Sequence, residues 1–288
     1  MKVDSKSRCF GGFFTFLMLL LNLSCSKSET VLMVGDPYIE TIYGGKWYGE
    51  QAFFRLKIRL NGYRIKHALV DRENGLVDIL DNPADIVVLS PWSADSIMEL
   101  PLSDTKFIVA GGLYDSVSKH RVISLIPDRI PIIEQFGGLA SKISSDSGKP
   151  AIAVFDAGSE AQLEEKNALA DAFGVGGELI IRNIREEGHQ DLPSGFNKLL
   201  EEAAVLLLFA GPVNYEAIKA SEKQLLPVFT ESLGASEAWE HRIIASVEDD
   251  LKALGSAILG TLRSENPDSI VYYAARLQKG DLYEQFFR

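Results

Sequence analysis

Short runs of consecutive apolar residues alternate along this chain with longer stretches whose apolar positions recur every three or four residues. Val31 to Val34, Ile65 to Val70, Asp85 to Leu89, Phe107 to Ala110 and Val122 to Ile126 read as strands. Trp47 to Leu60 has helical spacing, with Phe53, Phe54, Leu56 and Leu60 near one face. After the polar segment Ser144 to Pro150 the rhythm resumes. Strands are expected at Ala151 to Phe155, Leu179 to Ile181, Val205 to Phe209 and Leu226 to Phe229, with helices at Ser159 to Phe173, Phe196 to Ala204 and Val213 to Ala220. Ser159 with Gln162, and Ser246 with Asp249 ahead of Leu251, Leu254, Ile258 and Leu262, have the spacing of capping boxes. Continuous β-branched runs suit strands covered on both faces, as in parallel sheets flanked by helices. The fold class is therefore α/β, with two Rossmann-like lobes built on parallel sheets and a central crossing between them.

The first residues follow a different pattern. Lys2, Lys6 and Arg8 precede an apolar run from Phe10 to Leu23, and Leu23-Ser24-Cys25 leads into Ser26-Lys27-Ser28. Fourteen apolar-run residues fall short of the roughly 20 that a membrane-crossing helix needs. Basic end, apolar core and small-residue cut site together make a secretory leader. With Cys25 at the cut, the segment resembles a bacterial lipoprotein signal peptide, although Asn22 stands where such signals usually carry Leu. That resemblance implies a mature chain that starts at Cys25, carries acyl chains on its thiol and is held at a membrane, periplasmic or outer surface. Cys9 would leave with the leader, so no pair remains for a disulfide. A chain of this length buries enough apolar surface to fold without one.

Charge narrows the partners. The whole chain has a formal charge of −11, and beyond residue 24 there are 26 Lys and Arg against 39 Asp and Glu, a charge of −13. A body this acidic repels phosphate backbones and anionic headgroups, so nucleic acid is not an expected partner and membrane contact is assigned to the acyl chains.

Four blocks carry a further resemblance: Leu32-Met-Val-Gly-Asp36, Ala84-Asp-Ile-Val-Val-Leu-Ser-Pro91, Ala151-Ile-Ala-Val-Phe-Asp156 and Ile244-Ala-Ser-Val-Glu-Asp-Asp-Leu-Lys-Ala-Leu-Gly255. In their order the chain resembles the type I periplasmic binding protein superfamily, and within it the basic membrane protein, or nucleoside-binding lipoprotein, branch. The resemblance implies a two-lobed receptor whose chain passes three times between lobes, with a small polar ligand in the cleft and an ABC-type permease as possible partner. On that pattern residues 1–24 are the leader and 25–30 a tether. Residues 31–127 with 248–265 form the first lobe, and 128–150 a crossing helix and hinge. Residues 151–242 form the second lobe, 243–247 a return hinge and 266–288 a C-terminal segment.

In open parallel sheets ligands sit outside the carboxyl ends of strands, so recognition is sought in the loops that follow them. Those loops offer Asp36 and Tyr38, Ser90 and Trp92, Asp156, Asn214, and Glu231. Carboxylates and amides bind hydroxyls in pairs, and aromatic faces stack on a sugar or base, so a nucleoside or sugar is the expected ligand. The bland readings are that Asp36, Asp156 and Asn214 cap turns or helices and that Trp92 is core. Catalysis has little support. His67, His120, His189 and His241 are scattered, Gly174 to Gly177 ends a helix where a dinucleotide fingerprint would start one, and Leu192-Pro-Ser-Gly195 lacks the spacing of a nucleophile elbow. No cofactor or metal is expected. The alternative class is a surface lipoprotein that keeps the scaffold for signalling or structure without transport.

Overall fold

The computed structural model describes residues 29–35, 54–70, 84–100, 104–112, 121–156, 160–184, 195–211, 213–231 and 241–286, the side chains of residues 92 and 95 excepted. The chain divides into two compact units, one of residues 1–126 and 255–271 and one of residues 127–254 and 272–288, so it passes between them three times.

The first unit holds β1 (Thr30–Gly35), a helix over residues 54–60 (α1), β2 (Arg64–Leu69), β3 (Ile86–Leu89), the short helix α2 (Pro91–Ala94), β4 (Lys106–Ala110) and most of β5 (Arg121–Asp128). Its strands pair in the order β2-β1-β3-β4-β5, every pair parallel. The apolar runs explain the layering. Leu32, Val34, Val87, Leu89, Phe107 and Val109 pack with Ala94, Ile97 and Leu100 on one face, while Val31, Val88 and Ile108, one residue out of phase, are equally buried on the other.

The second unit carries α3 (Ile130–Ser147), β6 (Ala151–Phe155), α4 (Glu160–Phe173), β7 (Leu179–Asn183), α5 (Phe196–Glu202), β8 (Val205–Phe209), α6 (Val213–Ala220), β9 (Val228–Glu231) and β10 (Ile243–Asp249). Helix α7 (Leu251–Arg263) and strand β11 (Ile270–Lys279) each begin in one unit and end in the other, and α8 (Tyr283–Phe286) follows. The strand order is β11-β10-β9-β8-β6-β7, parallel except for the antiparallel β10 and β11 pair. Period-two alternation sorts the strand side chains into two cores. Ala151, Ala153, Phe155, Val205, Leu207 and Phe209 meet Phe136 of α3 and Leu169 and Phe173 of α4. Ile152, Val154, Leu206 and Leu208 meet Phe196 and Leu200 of α5 and Ala217 and Ile218 of α6. Phe136 and Phe229 have ring centroids 4.8 Å apart, and Phe155 and Phe209 stack at 4.9 Å. Gly137 lets α3 and α4 approach: a Cβ there would lie 2.7 Å from the Leu169 carbonyl oxygen.

Three local expectations differ from what is found. Phe54 packs against Gly255 of α7 while Leu56 and Leu60 are exposed, so these three do not share a face of α1, whose buried residue is Ile58. Residues 144–147 are the last turn of α3, which ends at Gly148 in the left-handed region with φ 65°. Ser246 does not cap α7, because β10 runs on to Asp249. Asp250 takes the role, its Oδ1 accepting from the backbone N–H groups of Lys252 at 2.9 Å and Ala253 at 3.2 Å. Ser159 lies outside the described residues.

Candidate functional site

Four chain segments leave the sheet of the second unit at the carboxyl ends of its parallel strands, and the end of β5, whose last two residues belong to that unit, supplies a fifth. β5 delivers Arg129, β6 Asp156, β8 Gly211, β9 Glu231 and β10 Asp249. Arg129 occupies the turn between β5 and α3. Its Nη1 donates to Glu231 Oε2 at 3.1 Å and its Nη2 lies 3.7 Å from Asp249 Oδ1. The three side chains are largely buried, Asp249 to 9 % exposure, where charges are retained only when paired.

Glu231 is held from its other side as well. Its Oε1 accepts from the Gly211 backbone N–H at 2.6 Å and from Asn214 Nδ2 at 3.2 Å. Asn214, buried on the first turn of α6, accepts from the Ala210 N–H through Oδ1 at 2.9 Å, which fixes the amide so that its NH2 faces Glu231. The β8 to α6 turn thus clamps one carboxylate oxygen while Arg129 clamps the other. Burial works against the Arg129 charge, but Asp249, Glu231 and Glu165 more than offset it and hold the pKa above its ordinary value. Arg129 Nε is buried without a hydrogen-bond partner among the described residues. An unmet buried donor costs about 1–3 kcal/mol, and more when the group is charged.

Glu165 on α4 completes the electrostatics. Burial, partly countered by Arg129 and reinforced by Glu231, Asp128 and Asp249, pushes its carboxyl up to about 7. One cation therefore serves two carboxylates, with a third acid beside them that titrates near neutrality. Nearby, Glu248 and Arg276 face each other across β10 and β11 at 3.0 Å.

Of the residues singled out from sequence, Asn214 and Glu231 touch, and Asp156 follows β6 directly, its N–H donating to the Phe209 carbonyl of the adjoining strand at 3.3 Å. Ser90 is buried just after β3 in the first unit. The backbone of Trp92 lies in α2, with its side chain outside the described residues. Cys25, Asp36 and Tyr38 also lie outside them. Arg129, Asp249 and Glu165 were not anticipated. Arg129 follows a strand that runs two residues beyond Ile126, and Asp249 sat inside a capping pattern. Glu165 belongs to the pair Glu164-Glu165 on a helix surface, where acids ordinarily face water. Among the described residues no group of three or more His, Cys, Asp and Glu is placed to hold a metal ion.

No protein-family model matches this chain. No curated protein matches it by sequence. Solved structures do resemble it. A periplasmic ribose ABC transporter from Conexibacter woesei superposes with a TM-score of 0.56 at 14 % identity, over 90 % of this chain and 94 % of the other. The Caulobacter myo-inositol binding protein gives 0.53 at 14 % identity, over 91 % and 96 %. A putative transcriptional regulator LacI from Bacillus cereus gives 0.54 at 12 %, over 88 % and 98 %. At such identities the likeness shows the fold, which is the two-lobed α/β architecture of periplasmic binding proteins.

Proposed function

We propose that the protein is an exported, membrane-tethered receptor that captures a small polyhydroxylated solute, a sugar or nucleoside, for an ABC-type importer. The observation that carries this reading is the constellation of Arg129, Glu231 and Asp249 at the carboxyl ends of β5, β9 and β10, the position where open parallel sheets bind ligands. A planar guanidinium donor beside two carboxylate acceptors matches neighbouring hydroxyls, each of which both donates and accepts. Glu231, Asp249 and Asp156 supply acceptors, while Asn214 acts through Glu231 by fixing its orientation. Asp36, Tyr38, Ser90 and Trp92 are the proposed ligand contacts of the first unit, by the same strand-end rule. Structural neighbours titled for ribose transport and for myo-inositol binding support the solute class. Cys25 is the proposed acylation site, from the leader that precedes it.

One observation favours the second reading, a surface lipoprotein without a solute. Glu231 already accepts three hydrogen bonds inside the protein, so most of its capacity is met before any ligand arrives. A thermal-shift panel of pentoses, hexoses, inositols, nucleosides and amino acids on the mature chain separates the two. A solute at about 100 times its Kd adds roughly 2.7 kcal/mol to the folded state, which raises the midpoint by several degrees. That rise should vanish in Glu231→Gln. A flat panel supports the second reading.

A further inference from the structure

The acids around Arg129 are unequally provided for. Glu231 accepts from Arg129, Gly211 and Asn214, and Asp249 faces the other guanidinium Nη at 3.7 Å. Both Nη atoms of Arg129 are thereby committed. Among the described residues, Glu165 alone of the three acids forms no hydrogen bond or ion pair. Its place on α4 is not that of a surface acid. Positions 165, 169 and 173 fall on one stripe of the helix, and Leu169 and Phe173 on that stripe are 0 % and 3 % exposed. Glu165 is the partly buried member, one turn nearer the helix start that follows β6, whereas its neighbour Glu164 is exposed.

Acids outnumber bases in this cluster. Glu165, Glu231 and Asp249 place three carboxyls around one guanidinium, and Asp128, exposed at the end of β5, adds to the same field. Burial comes first in raising Glu165 to about 7, Arg129 opposes it, and the other three acids reinforce it. The sequence adds no base in the segments that follow β6, β8 and β9: residues 157–159, 212 and 232–240 contain no Lys or Arg. Arg276, across β10 and β11, is taken by Glu248. A carboxylate withdrawn from water without a partner is costly, and an apolar residue would extend the stripe of Leu169 and Phe173 without that cost. With Glu165 ionised, what the cluster lacks is positive charge.

We propose that Glu165 is a specificity-determining residue of this site, and that the solute it selects bears an ammonium group, as an amino sugar or an amino polyol does. An ammonium is a compact cation with three N–H donors, and Glu165 is the carboxylate whose acceptors the protein leaves to it. The hydroxyls of the same solute meet Glu231 and Asp249. A neutral analogue leaves the acid excess uncompensated, and a site built for one polar group rejects the analogue that lacks it. The inference rests on the receptor reading and narrows its solute class.

The test is titration calorimetry of the mature chain at about pH 7.5, above the value to which Glu165 is raised. Matched solutes are compared: glucosamine with glucose and N-acetylglucosamine, and glucamine with glucitol. In at least one set the amine is expected to bind roughly tenfold or more tightly than its neutral counterparts. That ratio should fall toward one in Glu165→Gln, which should melt no lower than the parent. It should persist in Glu164→Gln, which removes the same charge from the same helix on its exposed side. Neutral solutes that bind as tightly as their amines, or an amine preference that survives Glu165→Gln, overturn the inference and leave the receptor reading in place. Absence of binding by every amine and every neutral solute overturns both.

Discussion

Around Arg129 the second unit buries one guanidinium with two carboxylates and a third acid that burial pushes up to about 7. Between Arg55 and Lys66 the first unit carries five bases beside outward leucines, with no acid in the same stretch. The residue types are the same and the environments opposite. Where water is excluded, a charge persists only against a partner, so the buried group must assemble acids and bases from the ends of β5, β9 and β10 and from α4. Where water remains, an excess of one sign costs little, because solvent and salt screen it. The inward cluster is thus built to be complete or nearly so, whereas the outward one is sustained by solvent.

Breaking the buried partner should have the largest effect. Arg129→Met leaves Glu231 and Asp249 facing each other without their cation, and a loss of about 3–4 kcal/mol is expected in urea unfolding of the mature chain, together with loss of solute binding. Arg242 is the control for burial without a binding role. It is 2 % exposed and donates to the carbonyls of Leu226 and Ile218 and to Ser221 Oγ. Arg242→Met should cost about 2 kcal/mol by stranding those acceptors, with solute affinity unchanged in titration calorimetry.

Acidity probes the same cluster more gently. A carboxyl whose folded pKa is raised from 4.5 to about 7 favours the protonated native state. Its contribution is complete below pH 4.5 and is lost as pH rises through 7, so it lowers stability with rising pH across that window. Glu165→Gln should remove this slope and raise the unfolding midpoint at pH 8, an effect of roughly 1–3 kcal/mol. If the midpoint at pH 8 is unchanged, Glu165 does not share the field of Asp249 and Glu231. The smallest effect belongs to the surface: Arg59→Glu with Arg64→Glu should alter stability by no more than about 0.5 kcal/mol. A larger loss would mean that those bases serve the fold.

Much of the scaffold was legible because buried parallel strands announce themselves. Ile86-Val-Val-Leu89, Ala151-Ile-Ala-Val-Phe155 and Val205-Leu-Leu-Leu-Phe209 are strands buried along their whole length, and their composition leaves few alternatives. The strand-end rule also located the pair Asn214 and Glu231. It missed Arg129 because the apolar run ends at Ile126, whereas β5 continues through Pro127 to Asp128. Asp249 was hidden by Ser246, whose spacing imitates a helix cap in a segment that is extended. The basic surface was invisible to net charge, which averages over the chain. Only the pairing of β2 with β1 places Arg64 beside Thr30.

Native mass spectrometry of the mature chain as purified, before and after incubation with sugars, inositols and nucleosides, tests the receptor reading most directly. A complex with one small hydroxylated solute is predicted for the parent chain and none for Arg129→Met. Detection of the bare chain alone throughout, with the parent folded, would contradict it.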